Sequence, residues 1–190
     1  EEEACEKLMY ALVLSGLAMQ MTGNSRPASG AEHHLVHLWD MEVVNGHLDA
    51  LHGEKVSAGT MLVLLEYKKI ADAIRKGNCK VHTGTEEDRE LLQSTFGKKG
   101  ILGAIEKENT PELLDDVSTK ELSDTLPGIL KIIDALPAVT DMQEMMNTAG
   151  CVSRVRDIGL PGEVIEESLR LAPYTRRRLS LLRLRKMLTY

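Results

Sequence analysis

The sequence predicts an all-α protein. Apolar residues recur at three- and four-residue spacing through long segments, the signature of helices with one buried face. No stretch shows strict apolar and polar alternation enriched in Val, Ile, Thr or aromatic residues, which strands would need.

The elements follow in order. A first helix is predicted from about Glu2 to Met21, apolar on nearly every side between Leu8 and Met19, the pattern of a central helix surrounded by others. Ser15 and Gly16 leave room for a neighbour, and the run Thr22-Gly23-Asn24-Ser25-Arg26-Pro27 stops the helix. Ser29 is suited to cap a second helix that reaches about Val44 and carries Glu32, His33, His34, His37, Trp39 and Asp40. After a loop containing Asn45-Gly46, a third helix starts near His52-Gly53 and continues to about Lys76, with Val56, Val63, Tyr67, Ile70 and Ile74 along its buried face. Further helices are predicted over 85–96, 98–107, 118–135 with an interruption near Pro127, 140–149, 161–171 and 175–188. Ser118 with Glu121, and Thr140 with Gln143, have the spacing of capping boxes.

Composition narrows the class. A chain of 190 residues, 43% hydrophobic and 27% charged, suits one ordinary domain with a real core. The apolar stretch from Leu8 to Met19 is too short to span a bilayer, and it follows Glu1-Glu2-Glu3 rather than a basic leader, so neither membrane insertion nor secretion is expected. Cys5, Cys79 and Cys151 are odd in number, far apart and without CxxC spacing, which predicts reduced thiols in a cytoplasmic protein. A formal charge of −6 argues against nucleic acid as partner. From Arg170 onward, however, there are six arginines and one lysine with no acid. Arg176, Arg177, Arg178, Arg183, Arg185 and Lys186 read as the solvated face of a helix that buries Leu179, Leu182 and Met187; no interleaved aromatics make them a nucleic-acid platform. Met142, Met145 and Met146 read as adaptable core filling rather than a soft-metal site. The chain opens at Glu1, in mid-helix, and is expected to be a piece of a longer protein.

The chemistry concentrates in one place. Five of the six histidines fall between His33 and His52. His33 and His37 are four apart and share a helix face, able to hold a metal or to set one ligand beside a proton-transfer group. His52 can add a second ligand from the next helix. Glu32 and Asp40 are the local carboxylates, but neither has a spacing that singles it out, so a third ligand is expected from elsewhere. Arg26 with Ser29-Gly30, at a helix N-terminus, joins a guanidinium to free backbone N–H groups and the positive end of the helix dipole, a combination suited to a phosphate. Glu54 suits the start of the third helix whatever the function, and Lys55 reads as solvated.

The run from Ser15 to Lys55, with Ser25-Arg26-Pro27-Ala28-Ser29-Gly30-Ala31-Glu32-His33-His34 and then His52-Gly53-Glu54-Lys55, resembles the glycerol-1-phosphate dehydrogenases, within the dehydroquinate synthase and iron-containing alcohol dehydrogenase superfamily. Ala172-Pro173-Tyr174-Thr175-Arg176 is similar to that family's last helices. The resemblance is strongest over residues 10–65 and weak across 78–160. It implies a two-domain enzyme in which residues 1–190 form the helical, metal-binding C-terminal domain, the nucleotide-binding domain lying outside this chain. It implies a divalent metal (zinc, nickel or iron) held by His33 and His52, with His34 an alternative to His33, and an upstream aspartate absent from these residues. It further implies NAD or NADP bound by the other domain, and dihydroxyacetone phosphate as a small phosphorylated substrate held by Arg26, Ser29 and His37. His37 would be the catalytic proton-transfer group, and a homo-oligomer is expected. The alternatives are a domain like that of dehydroquinate synthase or glycerol dehydrogenase, and a helical interaction module without catalysis.

Overall fold

The structure, a computed structural model, describes residues 1–83 and 88–190. It is all-α apart from one antiparallel pairing of two-residue strands among the described residues. The chain divides into two compact units, Glu1–Gly30 and Ala31–Tyr190.

The first unit holds α1 (Glu2–Thr22) and a 3₁₀ turn at Arg26–Ala28. Glu2 and Glu3 in the first turn complement the helix dipole. Gly23, with φ of 65°, ends the helix in the left-handed conformation that only glycine adopts at little cost. The expectation of a surrounded α1 is not met, since none of its residues is buried. A helix followed by one short turn offers no apolar surface that could cover Leu8 to Met19.

The second unit is built on two helices, α2 (Ala31–Asp40) and α3 (His52–Arg75). α2 stops before the predicted Val44, because Glu42 adopts a left-handed φ of 52° and turns the chain away. Its apolar face, Leu35, Val36, Leu38 and Trp39, is buried against Ala58, Leu62 and Val63 of α3 and against Leu169, Leu171, Ala172 and Tyr174. Trp39 also finds a partner for its polar edge: Nε1 donates to Ser168 Oγ at 3.0 Å, in α8 (Ile165–Leu171), so a large aromatic is buried with no unmet donor.

Between them run β1 (Lys80–Val81), α4 (Arg89–Thr95), α5 (Leu102–Glu108), α6 (Thr119–Asp134) and α7 (Val139–Thr148). Residues 85–87 of the predicted fourth helix lie outside the described residues. α6 is capped as expected, the Glu121 N–H donating to Ser118 Oγ at 3.3 Å, but it runs unbroken through Pro127. Its far end is held instead by α3: Lys68 Nζ donates to the carbonyls of Ile133 at 2.9 Å and Leu136 at 3.1 Å, answering the negative end of the helix. Thr140 is not a cap, since α7 begins a residue earlier; Gln143 Nε2 reaches Asn147 Oδ1 and Ser153 Oγ instead. In α7 Met146 is buried whereas Met145 is exposed.

The predicted last helix, 175–188, does not form. The chain makes a 3₁₀ turn at Ala172–Thr175, an extended stretch, a single turn α9 (Leu181–Leu184), and β2 (Leu188–Thr189), which pairs Lys80 with Thr189 and Val81 with Leu188. The physical reason is that the arginines taken for a solvated face bond inward. Arg183, only 1% exposed, donates to Glu112 Oε1 at 2.7 Å, to the Pro173 carbonyl at 2.5 Å and to Asn109 Oδ1, and lies 5.6 Å from the Tyr174 ring. Arg185 joins buried Glu66 to Glu166. Leu182 and Met187 are buried as expected, but Leu179 is exposed. A regular helix could not turn these guanidinium groups toward three separate elements.

Arg183→Ala is expected to destabilise this chain by about 2–3 kcal/mol in urea unfolding, the low end of the cost of breaking a buried pair because Glu112 is partly wet. Arg183→Lys should recover only part of that, since an ammonium cannot reach all three acceptors of the fork.

Candidate metal centre

The ends of α2 and α3 meet where the histidines lie. His33 and His37 project from one face of α2, and His52 opens α3. The His33 and His52 rings face each other, centroids 5.6 Å apart and planes tilted by 54°. Two imidazoles bound to one tetrahedral ion at about 2.1 Å per nitrogen would put their centroids about 5 Å apart, so this pair fits a single ion with little movement.

Helix packing sets that spacing. Gly59, two turns along α3, lies against Glu32 of α2: a Cβ there would come within 3.2 Å of the Glu32 carbonyl oxygen. Without a side chain at 59, α2 approaches closely, and with Ala58 buried beside it the crossing point lies near the His33–His52 pair. Glu54 fixes the start of α3, its Oε2 accepting from the Leu51 N–H at 2.7 Å. Lys55 is ion-paired with Asp40 and tucked in, rather than solvated as the sequence suggests.

Each imidazole has its own electrostatic setting. Glu32 Oε1 lies 2.8 Å from His33 Nδ1, a carboxylate placed to accept from an Nδ1–H, the arrangement that keeps Nε2 for another partner. His37, half-buried, is held below the ordinary imidazole range by burial first, then by the positive charge of Arg176 and by His33. It is therefore neutral near pH 7, able to accept or donate one hydrogen bond. His34 points the other way, into the core, 1% exposed, with no hydrogen-bond partner for either ring nitrogen among the described residues. Burial, followed by the charge of Arg178, lowers its pKa to about 4.

The structure thus brings together His33, His37 and His52, and turns His34 away. Among the described residues no group of three His, Cys, Asp or Glu side chains could hold a metal. Arg26 and Ser29 belong to the first unit, Arg26 heading the 3₁₀ turn with its N–H bonded to Asn24 Oδ1 at 3.0 Å and Ser29 following the turn in extended backbone. Arg176 was read from the sequence as part of a solvated basic face, yet its charge reaches His37. The one sequence signal that could have found it is its place at the end of Ala172-Pro173-Tyr174-Thr175-Arg176.

The second unit is all-α apart from one strand pairing and sets a carboxylate-contacted imidazole opposite a second imidazole across a helix crossing. Comparison with known proteins names relatives. The chain is 33% identical to the glycerol-1-phosphate dehydrogenase [NAD(P)+] of Halalkalibacterium halodurans over 182 residues, 95% of this chain and 37% of that protein. It is 28% identical to that of Geobacillus stearothermophilus over 90% of this chain and 35% of that protein, and 40% identical to that of Pyrococcus horikoshii over 79 residues, 40% of this chain and 22% of that protein. The chain is related to the glycerol-1-phosphate dehydrogenases over nearly its whole length, and spans little more than a third of theirs. No family model matches it, and no solved structure does.

Gly59→Leu should cost about 1–3 kcal/mol in urea unfolding by overpacking the crossing, with Gly59→Ala closer to neutral because a helix gains from alanine what the contact loses. His34 also makes stability pH-dependent. Its folded pKa lies below the unfolded value near 6.5, so the unfolded chain binds the proton more readily, and stability present above pH 6.5 is lost as pH falls toward 4. Between pH 7.5 and 4.5 this amounts to about 2–3 kcal/mol. The drop, measured by urea unfolding at the two pH values, should shrink by that amount in His34→Leu.

Proposed function

We propose that this chain is the metal- and substrate-binding helical part of an NAD(P)-dependent glycerol-1-phosphate dehydrogenase that interconverts dihydroxyacetone phosphate and glycerol 1-phosphate in the cytoplasm. The observation that supports the reading best is the pair of facing imidazoles, His33 and His52, in a chain related to such dehydrogenases over 95% of its length.

His33, through Nε2, and His52 would hold the ion, and Glu32 would fix the ring and tautomer of His33. When bound, a divalent ion supplies a Lewis acid that lowers the cost of negative charge on the ketone oxygen as hydride arrives. Two imidazoles with a carboxylate from outside these residues suit zinc, nickel or iron. His37, neutral and one turn beyond His33, would hydrogen-bond the substrate and pass a proton between its hydroxyl group and solvent. Arg26 and Ser29 would bind the phosphate. The nicotinamide cofactor and the third ligand would come from the rest of the enzyme, which would work as a homo-oligomer. Among the described residues no helix is long and apolar enough to cross a membrane.

The test is metal content and turnover of the complete enzyme. His33→Ala and His52→Ala should each weaken metal binding by well over tenfold and abolish reduction of dihydroxyacetone phosphate, and Glu32→Ala should weaken metal binding by about 10–100-fold. His34→Leu should leave metal content unchanged. Retention of full metal by both ligand variants would refute the reading.

A further inference from the structure

An ion pair ties α2 to α3 with both of its charges at unfavourable helix ends. Asp40 is the last residue of α2, and Lys55 lies in the first turn of α3. A helix favours cations at its C-terminus and anions at its N-terminus, so each charge is opposed by the dipole of its own helix. Neither residue is explained by its local setting. Across the helices, however, Lys55 Nζ donates to Asp40 Oδ1, and the lysine side chain is only 13% exposed. A largely desolvated ammonium is thus answered by a carboxylate of the other helix.

The pair stands beside the candidate metal centre on both helices. Lys55 follows His52 by one turn of α3, and Asp40 follows His37 by one turn of α2. The backbones meet elsewhere, at Glu32 and Gly59, and that contact sets how closely the helices approach. The connection from Met41 to Leu51 contains no helix or strand to set the angle between them. Apolar helix packing tolerates a scatter of about 15–20° in that angle, whereas metal–nitrogen distances are held to about ±0.2 Å. The ion pair is a second, directional point of attachment. Two separated contacts define the crossing angle, and with it the 5.6 Å between the His33 and His52 rings.

We infer that Asp40 and Lys55 are positioning residues, a strut between α2 and α3 that holds His33 opposite His52 at the spacing one divalent ion needs. The inference rests on the proposed function for the ion, and adds to it two residues that act through the imidazoles alone. The sign of the effect separates this role from simple electrostatics. A lysine close to a dication repels it, so a Lys55 acting only by its charge would tighten metal binding when removed. As half of the strut, its removal weakens metal binding.

The experiment uses the complete enzyme stripped of metal, with zinc binding measured by calorimetry and folding checked by circular dichroism. Lys55→Met and Asp40→Asn are each expected to weaken zinc binding by about tenfold or more, as loss of an orienting partner does. In the reversed pair, Asp40→Lys with Lys55→Glu, both charges sit at helix ends that favour them, so zinc affinity should return to within about threefold of wild type. Tighter or unchanged zinc binding in Lys55→Met would overturn the inference, as would a reversed pair no better than the single variants. Where a single variant fails to fold, a reversed pair that regains the fold without regaining zinc affinity would overturn it equally. His33→Ala, run beside them, separates the two readings. Zinc lost in His33→Ala but fully retained in Asp40→Asn removes the strut alone, whereas zinc fully retained in His33→Ala removes the proposed ion site and the strut with it.

Discussion

The close approach of α2 to α3 at Glu32 and Gly59 is the constraint on which the rest depends. A glycine in mid-helix costs about 1 kcal/mol against alanine, so its presence there needs a return elsewhere. The return is backbone contact: with no Cβ at 59, α2 lies close enough for His33 to face His52 at 5.6 Å. The same crossing aligns Leu35, Val36 and Trp39 with Ala58, Leu62 and Val63, so the contact that sets the candidate centre also forms the main core. Stability and site geometry are here one packing problem.

The second organising device is polar. Residues 172–190 pack as a chain of short turns, and their side chains act as staples: Arg183 to Glu112 and Asn109, Arg185 to Glu66 and Glu166, and Tyr174 to Asp88, which Arg170 of α8 also pairs. Glu66 is only 2% exposed, and its carboxyl is nevertheless held below the usual carboxylate range, because the Tyr190 hydroxyl and the charges of Arg185 and Lys69 outweigh its burial. Such buried charges make little net contribution to stability but are costly to leave unpaired, so they favour one arrangement of the tail over its alternatives.

Three histidines of one helix show how little more than a single turn separates roles. His33 is oriented by Glu32 toward His52; His34, 100° around the helix, is sealed in the core with neither nitrogen bonded; His37 returns to the open face, lowered by burial and by Arg176. The buried ring is tolerated because it is neutral, whereas a charged imidazole there would have no partner.

Periodicity by itself determined the helical class, the extents of α3 and α6 within a residue or two, and the shared face of His33 and His37, because 3.6-residue repetition is a local property. Ser118 was legible as a cap for the same reason. It could not tell that α2 ends at Asp40, where a left-handed Glu42 intervenes, nor that Pro127 sits inside a continuous helix. Nor could it tell that Arg183 is buried rather than solvated, since an arginine among leucines reads as a polar stripe until its acceptors are known, and two of these, Glu112 and Asn109, lie more than seventy positions away. The choice of His33 rather than His34 to face His52 depends on which side of α2 meets α3, and the position of Arg176 on a turn anchored by Thr175. Contacts between distant segments decide both, so only the tertiary structure could supply them.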